Sequence, residues 1–226
     1  MKMIDIIHCG ELEKQKEYRI EQDSQVKFIA HYDAQQVQEF VALRFVLERN
    51  AILECAILID RCSIDVKIEV VFNGEGAIAK INGVYILNQS NSASIETTQH
   101  HCAPHTKSEL VIKGGLKDRA TAKYQGTITI DQNAYGSIAS QENKNMILSS
   151  DARAVSVPNL QVLTNDVHCF HGSAVGRIDE DHLFYLCARG LAEFQARHLL
   201  LKAFFSGIFD DESFQQKLDF IIGENV

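Results

Sequence analysis

Two short clusters of histidine and cysteine are the residues of this sequence best suited to bind a metal. One lies within residues 100–105 and the other within residues 168–171. In an extended strand, residues i and i+2 point to the same face, so Cys169 and His171 are expected to project together. A thiolate beside an imidazole suits zinc or iron. Two ligands are too few for a closed structural site, so a complete one needs ligands from the first cluster or from a second chain.

Both clusters also have plainer interpretations. Their histidines are compatible with polar surface or turn positions, and Cys169 with a small buried apolar residue. The first cluster contains His100, His101, Cys102 and His105, and its role stays open at this point. A metal-dependent hydrolase built on that cluster is the enzymatic alternative. A nucleophilic role for Cys169 is disfavoured, because adjacent strand residues rarely reach the hydrogen-bond geometry that activates a thiol.

Composition excludes several classes of protein. The 226 residues carry 22 Lys+Arg against 30 Asp+Glu, without a basic run, so nucleic acid is not an expected partner. No apolar stretch approaches the ~20 residues of a membrane span, and the N-terminus lacks the pattern of a secretory signal. Six cysteines without a CxxC pair indicate reduced thiols, so we expect a cytoplasmic protein. Neither GxxxxGK[ST] nor GxGxxG occurs, so any ATP must be bound by a partner.

The elements that position these clusters are mostly strands. From about residue 26 to 172 the apolar residues alternate with polar ones, as in residues 66–70 and 127–130. Residues 77–87 are predicted to form two strands around an Asn82-Gly83 turn. Many short strands predict a sandwich, a barrel or a solenoid. The polar corners within residues 133–158 favour a β-helix, and a sandwich is nearly as compatible with the pattern.

The pattern becomes helical after Ile178. Asp179 is the expected N-cap of a helix over Glu180–Ala188, which Gly190 would end. A second helix is predicted over residues 191–206, and Asp210 or Asp211 would cap a third. The second helix is apolar on more than one face near residues 199–205. That excess is explained either by docking on the β body or by contact with another subunit.

Residues 100–210 resemble the SufB/SufD family of iron–sulfur cluster assembly proteins. The matching phrases follow the family's order and spacing: HTKS at 105–108, KG at 113–114, YQGTI at 124–128, the segment from Gln141 to NMILS at 145–149, PNLQV at 158–162, DVHCFHGSAVGRID at 166–179 and LFYLCARGL at 183–191. The resemblance implies a mainly β protein, with a right-handed parallel β-helix followed by a small C-terminal α-helical domain. The implied division is a short N-terminal segment (1–25), the β-helix core (26–178) and the helical domain (179–226). The helical region that usually precedes the family's β-helix is expected to be missing or vestigial.

The resemblance also separates the two types within the family. Proteins of the SufB type accept sulfur on a cysteine, and the matching position here is Asn143. The SufB type also tends to have a glutamate where this chain has Gly172. Both differences place the chain with the SufD type. In that type the cysteine and histidine that match Cys169 and His171 lie at the interface with SufB, and the histidine is implicated in cluster formation.

The implied function is that of a non-catalytic SufD-like scaffold subunit. Its partners would be a SufB-type scaffold and a SufC-type ABC ATPase, or a second copy of this chain. No permanent cofactor is expected, only a transient iron–sulfur cluster at a subunit interface, with His171 and Cys169 as candidate metal ligands. Ala203, Phe204 and Phe205 are the candidate contacts with the ATPase, and core burial is the rival explanation for each. A paralogue that stabilises the complex without binding iron is the alternative function.

Overall fold

The computed structural model describes residues 2–9, 15–33 and 40–224. Within these ranges the chain forms thirteen strands followed by three helices. The strands are β1 (Lys2–Cys9), β2 (Gln15–Ile20), β3 (Ser24–Asp33), β4 (Phe40–Leu47), β5 (Ile52–Asp60), β6 (Ile64–Phe72), β7 (Ile78–Leu87), β8 (Ser92–His101), β9 (Lys107–Leu116), β10 (Thr121–Ile130), β11 (Ser137–Ile147), β12 (Arg153–Val162) and β13 (Val167–Arg177). The helices are α1 (Glu180–Ala188), α2 (Glu193–Phe205) and α3 (Glu212–Glu224).

Successive strands alternate between two parallel sheets. The odd-numbered strands form a seven-stranded sheet in the order β1-β3-β5-β7-β9-β11-β13, and the even-numbered strands form a six-stranded sheet in the order β2-β4-β6-β8-β10-β12. Every described strand pair is parallel. Each coil therefore adds one strand to each sheet, which makes the fold a β-helix and excludes the sandwich. The β-helix class implied by the resemblance is confirmed.

The interior of the β-helix is built by the period-two pattern. In β6, Val66, Ile68 and Val70 are buried, whereas the residues between them face outward. The same alternation in neighbouring strands produces one continuous apolar core. Its first coils contain an aromatic cluster in which the rings of Phe28 and Phe45 lie 5.2 Å apart, with Tyr18 stacked on Phe45. This burial drives the coils to stack.

Two predictions about the strands are wrong. Residues 1–25 already contain β1 and β2, because charged residues of β2 take outward positions while Tyr18 and Ile20 pack inward. Asn82-Gly83 is not a turn but lies within β7, which pairs with strands on both sides. A side chain at Gly83 would meet the Ile112 Cδ1 atom at 2.5 Å, so glycine makes room for a neighbouring coil.

The helices begin where their caps were predicted. Asp179 accepts hydrogen bonds from the amides of Asp181 and His182 at the start of α1. At α3, Asp211 accepts one from the Phe214 amide. Helices α2 and α3 cover the outer face of the seven-stranded sheet with Leu201, Phe205, Phe214, Leu218 and Ile222, which pack against Ile29, Leu58, Val84 and Ile86. In the described part of the chain, none of the helices has the length and apolar character needed to cross a membrane.

Candidate functional site

The β-helix ends in an open coil made of β12 and β13, which we call the terminal coil. Strand β12 pairs with β10 and β13 with β11, and neither has a second neighbour among the described residues. Each therefore presents one edge of backbone N–H and C=O groups to its surroundings. Such edges are templates for pairing with another chain.

Side chains that point inward in the terminal coil are exposed or half-buried, because no further coil among the described residues covers them. Leu160 and Val162 continue the inward rows of Ile128 and Ile130, their register partners in β10. The two isoleucines are fully buried, whereas Leu160 and Val162 are 41% and 37% exposed. The terminal coil is thus a cross-section of the β-helix interior presented at the surface.

Cys169 and His171 belong to this cross-section. Their register partners in β11 are Ala139 and Gln141, both buried inside the β-helix, so the two residues share the inward face as the spacing predicts. Cys169 is half-buried against an apolar cluster, and desolvation raises the pKa of its thiol. His171 is exposed. A thiol and an imidazole therefore stand side by side at the rim of the open coil.

Behind this rim the interior contains several buried polar side chains. Asn143 is fully buried, donates to the Ile112 carbonyl at 3.1 Å and accepts from Asn145 at 2.8 Å. Gln141 and Gln99 are also fully buried, and the Gln141 Nε2 and Gln99 Oε1 atoms have no hydrogen-bond partner among the described residues. Both glutamines are interior residues that were not predicted from the sequence. Gln141 lies two residues from both Ala139 and Asn143, so the three share the inward face of β11. This spacing was the sequence signal available for Gln141.

The first histidine–cysteine cluster is divided by the strand geometry. His101 points inward, is stacked on Phe72 and is hydrogen-bonded to the hydroxyls of Thr106 and Ser108 at 2.7 and 2.9 Å. Burial lowers the pKa of His101 to about 3 and keeps the ring neutral. His105 is exposed in the following turn, with a positive φ of 56°.

His100 and Cys102 face outward at a corner of the β-helix, beside Asp131. The Nε2 atom of His100 lies 3.1 Å from Oδ1 of Asp131. Burial and the Asp131 carboxylate raise the pKa of Cys102 to about 11. Among the described residues, these three form the single group of three potential metal ligands. The structure therefore does not bring the two predicted clusters together into one ligand set.

The predicted contacts on α2 differ in exposure. Ala203 is exposed and Phe204 is half-buried, with its carbonyl oxygen accepting a hydrogen bond from Lys113 Nζ at 2.6 Å. Phe205 is fully buried in the core between α2 and the sheet. The prediction that Phe205 contacts a partner is therefore wrong, and core packing explains its apolar side chain. The large exposed apolar side chains of α1 and α2 are Phe184, Tyr185, Phe194 and Leu199. We call these four the helix patch; Leu199 lies in the apolar stretch 199–205 that the sequence indicated, and the other three were not predicted as contacts.

Comparison with known proteins gives a consistent result. Residues 12–204 match the family model described as SUF system FeS cluster assembly, SufBD core domain. An iron–sulfur cluster assembly SufBD family protein of Mycobacterium leprae is 35% identical over 151 residues, which cover 63% of this chain and 38% of that protein. The iron–sulfur cluster assembly protein SufD of Escherichia coli is 27% identical over 157 residues, which cover 68% of this chain and 37% of that protein. The aligned part thus spans well under half the length of these curated relatives.

Proposed function

The chain belongs to the SufBD core family of the SUF iron–sulfur cluster assembly system, and we propose that it acts there as a non-catalytic, SufD-like scaffold subunit. The observation that carries the proposal is the terminal coil, where Cys169 and His171 stand at an end of the β-helix that no other described strand pairs with. The SufD type is favoured because Asn143 occupies the position at which the SufB type has its sulfur-accepting cysteine.

The terminal coil is suited to bind a second β-helix. Strands β12 and β13 are 10 and 11 residues long, and each backbone hydrogen bond formed along their edges contributes roughly 0.5–1.5 kcal/mol. Burial of Leu160 and Val162 would add to this stabilisation. The favoured partner is a SufB-type scaffold, and pairing with a second copy of this chain is the competing arrangement.

The cluster would be cargo that is built at this interface. An iron–sulfur cluster needs about four thiolate or imidazole ligands. Cys169 and His171 supply at most two, so the partner must supply the others. Imidazole is an established ligand of iron in proteins. His171 is exposed and therefore reaches a cluster without rearrangement of the core.

The helix patch is the proposed contact with a SufC-type ABC ATPase. Phe184 and Phe194 are 76% and 64% exposed, and together with Tyr185 and Leu199 they place large apolar side chains on α1 and α2. Exposed apolar patches mark interaction surfaces. Ala203 is exposed and stays a candidate contact, with Phe204 at the margin of the same helix end.

The proposal is tested by oxygen-free co-purification of the chain with SufB-type and SufC-type proteins, followed by loading with iron and sulfide. The wild type should form a three-component complex with visible absorption of a cluster. The variant His171→Ala should form the same complex and load far less cluster. His168→Ala is the matched control, because this exposed histidine lies on the opposite face of β13.

The same experiment decides between the proposal and the alternative of a structural paralogue. Equal cluster loading in wild type and His171→Ala would assign the chain a role in stabilising the complex without binding iron. Failure to form any complex would overturn both. A homodimer in place of the mixed complex would assign the terminal coil to self-association.

A further inference from the structure

We propose that His100, Cys102 and Asp131 form a binding site for a divalent transition-metal ion of the zinc class, separate from the rim that carries Cys169 and His171. The three side chains supply one nitrogen, one sulfur and one oxygen atom. This mixture of donors matches the ligands that zinc takes from proteins. The site does not depend on the proposed scaffold role, because all three ligands come from this chain and none belongs to the terminal coil.

The backbone of two neighbouring coils fixes the ligand positions. His100 is the penultimate residue of β8 and is paired in register with Thr129 of β10. The amide of Cys102 donates to the Phe72 carbonyl at 3.1 Å, and the amide of Asp131 donates to the His101 carbonyl at 2.9 Å. Cys102 and Asp131 therefore occupy the same corner position in consecutive coils. Their separation is set by the sheet ladder and not by a mobile loop.

The distances between ligand atoms suit a single ion. All three lie within 4.8 Å of one another, and His100 Nε2 is 3.1 Å from Asp131 Oδ1. Tetrahedral zinc with bonds of 2.0–2.3 Å separates its ligand atoms by about 3.3–3.8 Å. Small side-chain rotations are enough to bring the three atoms from their present positions to that spacing, without a change in the strands.

Access and coordination number indicate an open site. The His100 and Asp131 side chains are 34% and 40% exposed, and Cys102 is half-buried, so an ion reaches them from solvent. Three protein ligands leave the fourth tetrahedral position for water or for an exchangeable ligand. The site is therefore expected to bind metal reversibly.

The ligand set is specific to these two coils. The equivalent corner positions in the coils before and after are Asn73 and Leu163, whose amides make the same contact with the preceding coil. Leucine has no ligand atom, and an asparagine amide is a weak ligand for zinc. The corner itself thus does not require a thiol or a carboxylate. The plainer explanation is a surface ion pair between His100 and Asp131, with the Cys102 thiol donating to the His100 carbonyl at 4.0 Å.

Cobalt(II) titration of the purified 226-residue chain under argon tests the proposal. Co²⁺ replaces zinc and reports both a thiolate ligand, by charge-transfer absorption, and tetrahedral geometry, by intense visible bands. We expect one Co²⁺ per chain with both signals, displaced by Zn²⁺. Cys102→Ser should abolish the charge-transfer band. His100→Gln and Asp131→Asn should each weaken binding at least ~10-fold, the size of effect seen even for residues that only support a ligand.

Two control variants test whether the Co²⁺ signals come from Cys102 and not from another thiol. Cys187→Ser removes a thiol of similar exposure on α1, and Cys169→Ser removes the thiol at the rim of the terminal coil; both should leave the Co²⁺ signals unchanged. Circular dichroism confirms that each variant is folded. The proposal is overturned if the wild type gives no thiolate band, or if that band persists in Cys102→Ser. Loss of the band in Cys169→Ser alone would also overturn it and would place the metal at the terminal coil.

Discussion

The interior of the β-helix is apolar in its early coils, whereas near its open end buried polar residues lie among apolar ones. In strands β3–β7, which we call the apolar coils, the inward positions hold residues such as Phe28, Leu53 and Val70. In β8–β11 some of these positions hold polar residues, namely Thr97, Gln99, His101, Gln141 and Asn143, and others stay apolar, as at Ile112 and Ile128. The outer faces of β3, β5 and β7 are also covered by α2 and α3. In the described part of the chain, the terminal coil has no such cover.

The two regions of the β-helix therefore contribute differently to the protein: the apolar coils stabilise the fold, and the open end carries the candidate site. Inward residues of the apolar coils stabilise the fold by removing apolar surface from water. Buried polar residues contribute less, because their hydrogen bonds largely replace those made with water. Because Gln141 and Asn143 occupy inward positions and Leu160 is exposed, the open end of the β-helix gains little stability from burial of apolar surface. The end of the β-helix is thus expected to depend on a partner.

The largest expected effect concerns the apolar coils. Phe45 is fully buried and packs on Phe28 and Tyr18, so Phe45→Ala should cost about 3–5 kcal/mol of unfolding free energy. Leu160→Ala shortens an inward-facing aliphatic side chain of the terminal coil and should cost under ~1 kcal/mol, because that side chain is 41% exposed. Urea unfolding followed by circular dichroism measures both. Equal losses would contradict the distinction between the two regions.

The polar interior predicts a pH dependence that comes from His101. Burial disfavours its imidazolium and lowers its pKa to about 3, below the unfolded value of 6.5. The unfolded chain therefore binds more protons, and the stability that His101 contributes is complete above pH ~6.5 and declines as pH falls toward 3. In His101→Gln the loss of stability between pH 7.5 and pH 5 should be smaller than in wild type. An unchanged loss would show that other groups cause it.

A smaller effect is expected where the helices are fastened to the apolar coils. Asp211 is hydrogen-bonded to Lys27 of β3, to Ser213 and to the Phe214 amide, which together hold the pKa of its carboxyl well below the usual range. Asp211→Ala should cost about 0.5–2 kcal/mol through loss of the cap of α3. The contribution is present above pH ~4 and is lost as pH falls further, so the two unfolding curves should converge in acid. A difference that persists in acid would exclude this cause.

The smallest effect on stability is expected at the terminal coil itself. Phe170 is 60% exposed on β13, so Phe170→Lys should change the unfolding free energy of the isolated chain by less than ~0.5 kcal/mol. A charge beside a pairing edge should nevertheless weaken association with a SufB-type partner, which pull-down against wild type measures. Unimpaired association would place the interface elsewhere.

Period-two alternation predicted most of the strands and the shared face of Cys169 and His171, but it missed β1 and β2 and divided β7 in two. The loss of this alternation after Ile178 marked the change to helices. Asp179 marked the start of α1 correctly. The alternation did not reveal which coil is last, because exposure of Leu160 depends on the absence of a further coil and not on its own sequence. The juxtaposition of Cys102 with Asp131 was hidden for a related reason. Residues in register are 26 positions apart at Ile52 and Ile78 but 31 apart at Lys107 and Ile138, so no fixed repeat length points to them.

The most direct test of the central claim is amide hydrogen exchange of the chain alone and mixed with a SufB-type scaffold. If the terminal coil is the subunit interface, the amides of β12 and β13 should exchange rapidly in the free chain and become protected in the mixture. The amides of the apolar coils should be protected equally in both samples. Protection that appears on other elements, with β12 and β13 unchanged, would contradict the assignment of the open end as the scaffold interface.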